Sequence, residues 1–401
     1  MTQPRQQIFE GVRVLDLVSR EAGVTLAGAV MADFGADVIK IDKPGEPEPA
    51  VGAHYAKNGI NLPYKVKGRN KRHITLDISK PQGRDIFHKL VEKADVVIEN
   101  FPAGAMEEWG HDWETLRSVN PRLIFCRISD YGQTGPYRRR RLDGRTAEAF
   151  GGFSYIDGYE DGPPLHSQMD MGGSVAGIWA FIGIAGALYW RDVQGGGKGQ
   201  VIDLGLYEPI YRQIVNNVTG YTSTGVSNKR YGNRKHGGFP WVDSHTTKDG
   251  KHFTYSAATR ATFRDQMLAM GMFIDPRFKD FPTTWEHREE YHEAAVEWMK
   301  ERTLAEVDEA FKGYECASTP VMDAERLCND PHLIAREDII TVDDPDLGPI
   351  RMQGIIPKFE KTPGRVRHAG ERPGARNQEV YRELLGLGAQ ELEDLRAAGV
   401  I

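Results

Sequence analysis

The chain has 401 residues, 40 % hydrophobic and 27 % charged, a size and composition that point to two or three globular domains with ample core. Its 51 basic and 57 acidic residues leave a formal net charge of −6, which gives no reason for nucleic acid or an anionic membrane to be the main partner. Three cysteines without a C-x-x-C pair exclude a disulfide framework, and 12 histidines without ligand spacing lead us to expect no metal.

Read in chain order, residues 12–18 predict a strand, 25–34 a helix and 36–42 (ADVIKID) a second strand. The unit then repeats: strand 73–77, a helix opened by Pro81 and running to about 93, and strands at 95–101 (DVVIENF) and 123–129 (LIFCRIS). Such alternation predicts a parallel sheet wrapped by helices, with ligands bound beyond the carboxyl ends of its strands. Residues 175–190 (VAGIWAFIGIAGALYW) are apolar on every face and predict a buried helix. The glycine-rich 191–200 (RDVQGGGKGQ) marks a turn or domain edge. A helix at 207–218, loop over 223–250, helices at 284–302 and 304–312, a strand at 355–359 (IIPKF) and two closing helices at 379–385 and 390–398 complete the expected order. The opening MTQPRQQIFEG has no apolar core, and the one long apolar run, about 16 residues, is short for a membrane span, so a cytoplasmic location is expected.

The candidate catalytic residue is Asp170, set directly before Gly172, Gly173 and the apolar helix. Two readings stand side by side. As a helix cap, Asp170 would accept a backbone N–H. As a nucleophile, its carboxylate would be kept ionised by the helix dipole, reachable past glycines without side chains, with the bare N–H groups of Gly172 and Gly173 available to an oxyanion. Ser174 could serve as the cap in its place.

The first strand, helix and second strand ending in Asp42 mimic a dinucleotide fold, but the loop Ser19-Arg-Glu-Ala-Gly-Val-Thr-Leu-Ala-Gly28 has no G-x-G-x-x-G, so NAD is not expected. Residues 195–199 (GGGKG) lack the ending of a phosphate loop. Basic residues fall instead around the strand mouths: Lys43, Lys71, Arg72 and the run 138–141. Three such clusters fit a polyphosphate ligand such as coenzyme A.

The segments GVRVLDL, MADFGADVIKIDKPG, GRNKRHITLDI, ADVVIENFPAGAMEEWG, NPRLIFCRISDYGQTGPY, DMGGSVAG, GKGQVIDLGLYE, DPHLIARE and IIPKFEKTPG, in this order and over nearly the whole chain, resemble family III CoA-transferases of the CaiB/BaiF type. The resemblance implies an α/β fold with a Rossmann-like large domain built from N- and C-terminal segments (1–195 and 326–401), a linker helix (196–225), a smaller α+β domain (226–325) and an interlocked dimer. It implies that Asp170 attacks an acyl-CoA, giving an acyl-aspartyl anhydride and then an aspartyl-CoA thioester that passes CoA to a second acid. It places CoA contacts at Lys43, Arg72, Asn100, Phe101 and Arg141, with Arg20, Glu21 and Ala22 near the pantetheine. It also places a water-excluding lid at His236, Gly237 and Gly238.

Two positions depart from the family pattern: Glu108 stands where a basic residue is common, and Asp143-Gly144 where some members carry Tyr-Glu. Arg145 is then free to bind a second substrate carboxylate, with Arg141 as the alternative, which suggests succinyl-CoA as donor and a substituted succinate as acceptor. The rivals are an α-methylacyl-CoA racemase, whose histidine partner is missing between His111 and His166 unless His166 serves, and a non-catalytic subunit of a homo- or heteromer.

Overall fold

The computed structural model describes residues 7–19, 23–45, 55–234 and 241–401. By its contacts the chain divides into two compact units: unit 1 is Met1–Gly152, Ser167–Ile214 and Pro331–Ile401, and unit 2 is Phe153–His166 and Val215–Asp330.

Unit 1 is organised on six parallel strands: β1 (Arg13–Asp16), β2 (Asp37–Asp42), β3 (Arg72–Thr75), β4 (Val96–Glu99), β5 (Ile124–Ser129) and β6 (Val201–Gly205). Their spatial order is β3-β2-β1-β4-β5-β6, a doubly wound arrangement that reverses between β1 and β4. Successive side chains point to opposite faces, so Val14, Val38, Val96 and Ile124 pack into one apolar layer and Leu15, Ile39, Val97 and Phe125 into another. This two-sided burial is why the strands read as unbroken apolar runs. Helix α1 (Leu26–Asp33) belongs to the first layer, while α3 (Pro81–Val91) and the closing helices Asn377–Leu385 and Ala389–Ala397 belong to the second. Between them in sequence lies the short α2 (Leu62–Lys67). The C-terminal segment is locked on by Asn377 Oδ1, which accepts the Thr75 N–H at 2.8 Å, and by the Tyr381 hydroxyl, which donates to the Thr75 carbonyl at 2.7 Å.

The sheet continues past the glycine-rich turn at 195–199, because β6 pairs with β5 from Phe125↔Val201 to Ser129↔Gly205. Helices α4 (Gly144–Phe150) and α5 (Met171–Tyr189) lie between β5 and β6 in sequence. The α5 helix is longer than predicted and continues through one π-turn at Trp190–Gln194. It is also not buried all round: Ala176, Ala180, Ile184 and Leu188 are inside, whereas Ile178, Ile182 and Tyr189 are exposed. With the π-turn it spans 24 residues, and a mean hydropathy of 1.6 over an 18-residue window would let it cross a membrane by length and composition alone, but its inner face forms part of the core over the sheet.

The expected strand at 355–359 does not form. Pro357, joined to Ile356 by a cis peptide, has no N–H for a ladder, and the apolar side chains dock singly, Ile355 on the first core layer and Phe359 edge-on to Phe34 at 5.3 Å. The two strands of this region are Ile339–Asp344 and Gly348–Gln353, an antiparallel hairpin. The expected helix at 207–218 is broken at Ile214, and that at 284–302 is divided by His287.

Unit 2 holds a three-stranded antiparallel sheet of β7 (Val242–Thr246), β8 (His252–Ser256) and β9 (Ala317–Pro320), with β8 central. Strand β7 falls in a stretch expected to be loop, because its inward side chains are Asp243 and His245 rather than apolar residues. The core of this unit gathers Phe253, Tyr255, Phe263, Tyr291, Met299 and Phe311.

Candidate active site

At the reversal of the sheet the loops after β1 and β4 leave neighbouring strand ends and diverge, the arrangement that opens a ligand crevice in doubly wound sheets. On the β1 side Asp16 is wholly buried, and an unpaired carboxylate there would be costly. Lys71 Nζ at 2.8 Å and the Val18 N–H at 3.0 Å satisfy it, and the same ammonium reaches the Thr25 carbonyl at 3.3 Å. A Cβ on Gly28 would lie 2.4 Å from Asp16 Oδ2, so only glycine lets α1 come this close. The Ser19 N–H donates to Asn100 Oδ1 at 2.9 Å, which ties the two loops together.

On the β4 side Glu99 is buried and accepts from Arg127 Nε at 2.8 Å and from the Phe101 N–H at 2.7 Å. Arg127 also bonds Glu107 at 3.0 Å. Burial pushes the Glu99 carboxyl up to about 7 even against the Arg127 charge. This network fixes the turn that presents Asn100 and Phe101, and the Phe101 ring sits edge-on to Trp109 at 5.0 Å.

Asp170 is the N-cap of α5, and its Oδ1 accepts the Gly173 N–H at 2.9 Å. Its Oδ2 accepts the Gly23 N–H at 2.7 Å, across 147 residues of sequence. Each carboxylate oxygen thus holds a backbone donor, and Ser174 is not the cap. Glycines wall the group. A Cβ would come within 1.7 Å of Oδ1 from Gly144, 2.5 Å of Oδ2 from Gly173 and 2.8 Å of Oδ2 from Gly23, while one on Gly172 would fall 2.3 Å from the Gly144 carbonyl. Gly144 opens α4, held in place by the Asp143–Thr146 capping box. The Gly173 N–H is engaged by Asp170 itself, so it serves an oxyanion only when that oxygen carries the developing charge.

The remaining predicted residues fall in several places. Lys43 follows β2, exposed, with Asp77 at 3.9 Å. Arg141 is exposed, 3.5 Å from Asp130, and its neighbour Arg140 lies over the Tyr137 ring at 4.1 Å. Arg145 is exposed in the first turn of α4, directly after Gly144. Arg72 is not brought to Asp170: its guanidinium pairs with Asp37 at 2.6 Å and Glu383 at 2.7 Å. His166 bonds Ser154 at 3.0 Å within unit 2. Arg20, Glu21, Ala22, His236, Gly237 and Gly238 lie outside the described residues.

Gly23 and Gly144 were not singled out as site residues from the sequence, since nothing local marks a glycine that packs against a carboxylate distant in the chain. Lys67, which ends α2, is half-buried, and burial holds its ammonium below the usual lysine value.

A family model described as CoA-transferase family III matches residues 9–377. The chain belongs to CoA-transferase family III. It is 38 % identical over 398 residues, 98 % of each chain, to the succinyl-CoA–D-citramalate CoA-transferase of Chloroflexus aurantiacus. It is 33 % identical over 416 residues to the succinyl-CoA–L-malate CoA-transferase alpha subunit of Chloroflexus aurantiacus, covering 100 % of this chain and 94 % of that one. Among solved structures, a CAIB/BAIF family protein from Brucella suis superposes with a TM-score of 0.80 at 26 % identity, covering 95 % of this chain and 100 % of that one. The transferase therefore works on CoA thioesters and carries the mixed α/β fold with a parallel central sheet that its strand pattern predicts.

One cluster in unit 2 was invisible to ligand spacing because its members come from distant segments. Asp243, His245 and His292 hold their ligand-capable atoms within 4.8 Å of one another, beside a cleft of about 500 Å³ whose lining does not include Asp170. Asp243 Oδ2 lies 3.2 Å from His292 Nδ1 and 3.8 Å from Arg234 Nε, and His245 Nε2 bonds the Tyr255 hydroxyl at 2.7 Å. Burial, with the His292 and Arg234 charges adding to it, pulls His245 down to about 4. A fixed guanidinium beside the carboxylate disfavours a dication there, and Asp243 Oδ1 accepts the Ser244 N–H at 2.7 Å.

Proposed function

We propose that Asp170 is the covalent nucleophile of CoA exchange between an acyl-CoA and a free acid. A carboxylate oxygen attacks the donor thioester carbonyl, the C–S bond breaks, and CoA thiolate leaves an acyl-aspartyl anhydride. The thiolate attacks the Asp170 carbonyl carbon, releasing the donor acid as its carboxylate and leaving an aspartyl-CoA thioester. The acceptor carboxylate displaces the thiolate to form a second anhydride. Attack of the thiolate on the acceptor's acyl carbon then restores Asp170. No net proton moves, and covalent division keeps the thioester's free energy within each step.

The observation that carries this reading is the pair of backbone donors on Asp170, Gly23 N–H at 2.7 Å and Gly173 N–H at 2.9 Å. The cap and the nucleophile are then one residue in two states. When Asp170 is acylated, one oxygen becomes a carbonyl, and its N–H donor faces the oxyanion that forms as the thiolate or acid attacks. Asn100 and Phe101 at the crevice, with Lys43 and Arg141 outside it, are the CoA contacts we favour. Arg20, Glu21 and Ala22 are proposed beside the pantetheine, and His236, Gly237 and Gly238 as the lid.

Succinyl-CoA as donor and a substituted succinate as acceptor is the substrate pair we favour, in line with the names of the two Chloroflexus relatives. We further propose association with a second copy or a related subunit. Ile178, Ile182 and Tyr189, 47 %, 50 % and 58 % exposed, lie along one stripe of α5 that is otherwise left in water.

The test is hydroxylamine trapping during turnover with succinyl-CoA, followed by peptide mass spectrometry. A hydroxamate on Asp170 is expected in the native protein. Asp170→Asn should keep the fold, because an amide oxygen still caps α5, and lose both label and exchange. Label on another residue, or exchange surviving in Asp170→Asn, would sink the reading.

A further inference from the structure

The buried face of α4 carries Gly144, Ala147 and Glu148, neighbours one turn apart on the helix. Ala147 lies in the core and Gly144 stands against Asp170. Glu148 is a carboxyl group with 0 % of its surface exposed, at a position where an apolar side chain would be buried without cost. What it holds explains its place. Glu148 Oε2 accepts the Ser167 N–H at 3.0 Å, and Oε1 accepts from the Ser167 hydroxyl at 2.6 Å. The same hydroxyl lies 2.8 Å from the Met169 carbonyl, and that carbonyl accepts the Met171 N–H at 2.8 Å. A line of hydrogen bonds thus leaves α4 at Glu148, reaches the chain before Asp170 and ends on the residue after it.

The two sides of Asp170 differ in their support. On its C-terminal side α5 fixes it, since the Asp170 carbonyl accepts the Ser174 N–H at 3.0 Å and Oδ1 the Gly173 N–H at 2.9 Å. On the other side, residues 167–170 belong to no helix or strand, so no ladder holds them, and the Ser167 bonds fasten them to α4. Helix α4 therefore meets this stretch twice on one face, with Gly144 against Asp170 and Glu148 against Ser167. The two contacts act in opposite senses. Close packing at Gly144 is a steric stop that limits approach and cannot pull, whereas the Glu148 bonds are attractive and keep the chain against that stop.

We infer that Glu148 is a positioning residue for Asp170: through Ser167 it draws the segment before α5 onto α4 and keeps the Asp170 carboxylate seated between Gly144 and its two backbone donors. This rests on the aspartyl reading above. Glu148 takes no part in the bond changes, and its role needs hydrogen bonds of the right shape. In Glu148→Gln the amide oxygen still accepts the Ser167 N–H, the amide N–H donates to the Ser167 hydroxyl oxygen, and the hydroxyl hydrogen turns to the Met169 carbonyl. Glu148→Leu fills a similar volume and loses every one of these bonds.

The experiment compares Glu148→Gln, Glu148→Leu, Ser167→Ala and the double variant Glu148→Leu/Ser167→Ala with the native enzyme. It reads kcat, KM for succinyl-CoA and for acceptor acids, the rate at which succinyl-CoA makes Asp170 trappable by hydroxylamine, and the urea midpoint. A reacting group displaced by about 1 Å costs on the order of 10²-fold, so kcat and the labelling rate should fall together by about tenfold or more in Glu148→Leu. Both KM values should stay within about threefold, and Glu148→Gln should keep kcat within about threefold of native. Adding Ser167→Ala to Glu148→Leu should cost less than about twofold more, because the two residues share one connection. A side chain that only fills the core would move the urea midpoint and leave kcat of the folded protein as it was. Folded Glu148→Leu with kcat within about twofold of native, Glu148→Gln as impaired as Glu148→Leu, or losses that multiply in the double variant each overturn the inference. Where Glu148→Leu does not fold, Ser167→Ala decides: kcat lowered about threefold or more is expected, and native kcat overturns it. If the native protein turns over without label on Asp170, the aspartyl reading fails; if it is labelled and folded Glu148→Leu is labelled at the native rate, only the role of Glu148 fails.

Discussion

Gly144→Ala changes one hydrogen into a methyl group at the point where α4 touches Asp170. The new Cβ would stand 1.7 Å from Asp170 Oδ1, where real contacts stay beyond 3.0 Å, so the carboxylate or the helix has to retreat by more than 1 Å. The obstacle is a short, capped side chain bonded through both oxygens, and not the loose end of a flexible one. Retreat breaks the Gly173 bond, the Gly23 bond or both, each a charged hydrogen bond worth about 1.5–3 kcal/mol. A reacting group misplaced by about 1 Å costs on the order of 10²-fold in rate. We therefore expect kcat to fall about 100-fold or more, with a stability loss of roughly 1–3 kcal/mol. Gly220→Ala, in the helix Val215–Thr224 with open space around its Cβ position, is the control and should leave activity unchanged and stability equal or slightly higher. Steady-state exchange of succinyl-CoA with a panel of acids, beside urea unfolding, gives both numbers. Gly144→Ala with kcat within twofold of native would refute the claim that the glycine wall sets the geometry of Asp170.

Arg145→Ala should weaken dicarboxylic acceptors at least about tenfold more than monocarboxylic ones if the exposed guanidinium after Gly144 takes a second carboxylate, as we propose; equal losses on the same panel reject that role. His111 predicts an acid limb in stability. It is buried, bonded to the Ile78 carbonyl at 3.0 Å and to His88 at 3.1 Å, and burial holds it down to about 4. Its folded value is below its unfolded one, so its contribution is complete above about pH 6.5 and is lost as pH falls from there towards 4, about 2 kcal/mol by pH 5. Urea midpoints at pH 7.5 and 5.0 should differ by less in His111→Gln than in native protein; the same difference in both would assign the acid limb elsewhere.

Much of the fold was legible because burial writes itself into the strands. β1, β2, β4 and β5 are covered on both faces, so their apolar runs stood out, and the helices between them forced parallel pairing. β7 escaped because Asp243 and His245 fill its inward positions, where hydrogen bonds replace apolar contact. The strand expected at 355–359 failed because apolar residues around a proline can dock one at a time without a ladder. The exposed stripe on α5 was hidden by a composition that is apolar on every side, so periodicity could not say which face the sheet covers.

The site divides in the same way. Sequence alone determined the alternating order of strand and helix and the absence of dinucleotide glycines and made Asp170 the candidate, because each is recorded in residues adjacent along the chain. Only the tertiary structure decided what surrounds that carboxylate: Gly23 and Gly144 come from two other segments, while Arg72 is drawn off to Asp37 and Glu383. Periodicity and propensity act over a few residues, whereas a glycine that must be small, or an arginine drawn into ion pairs, acquires its meaning from atoms brought close by folding.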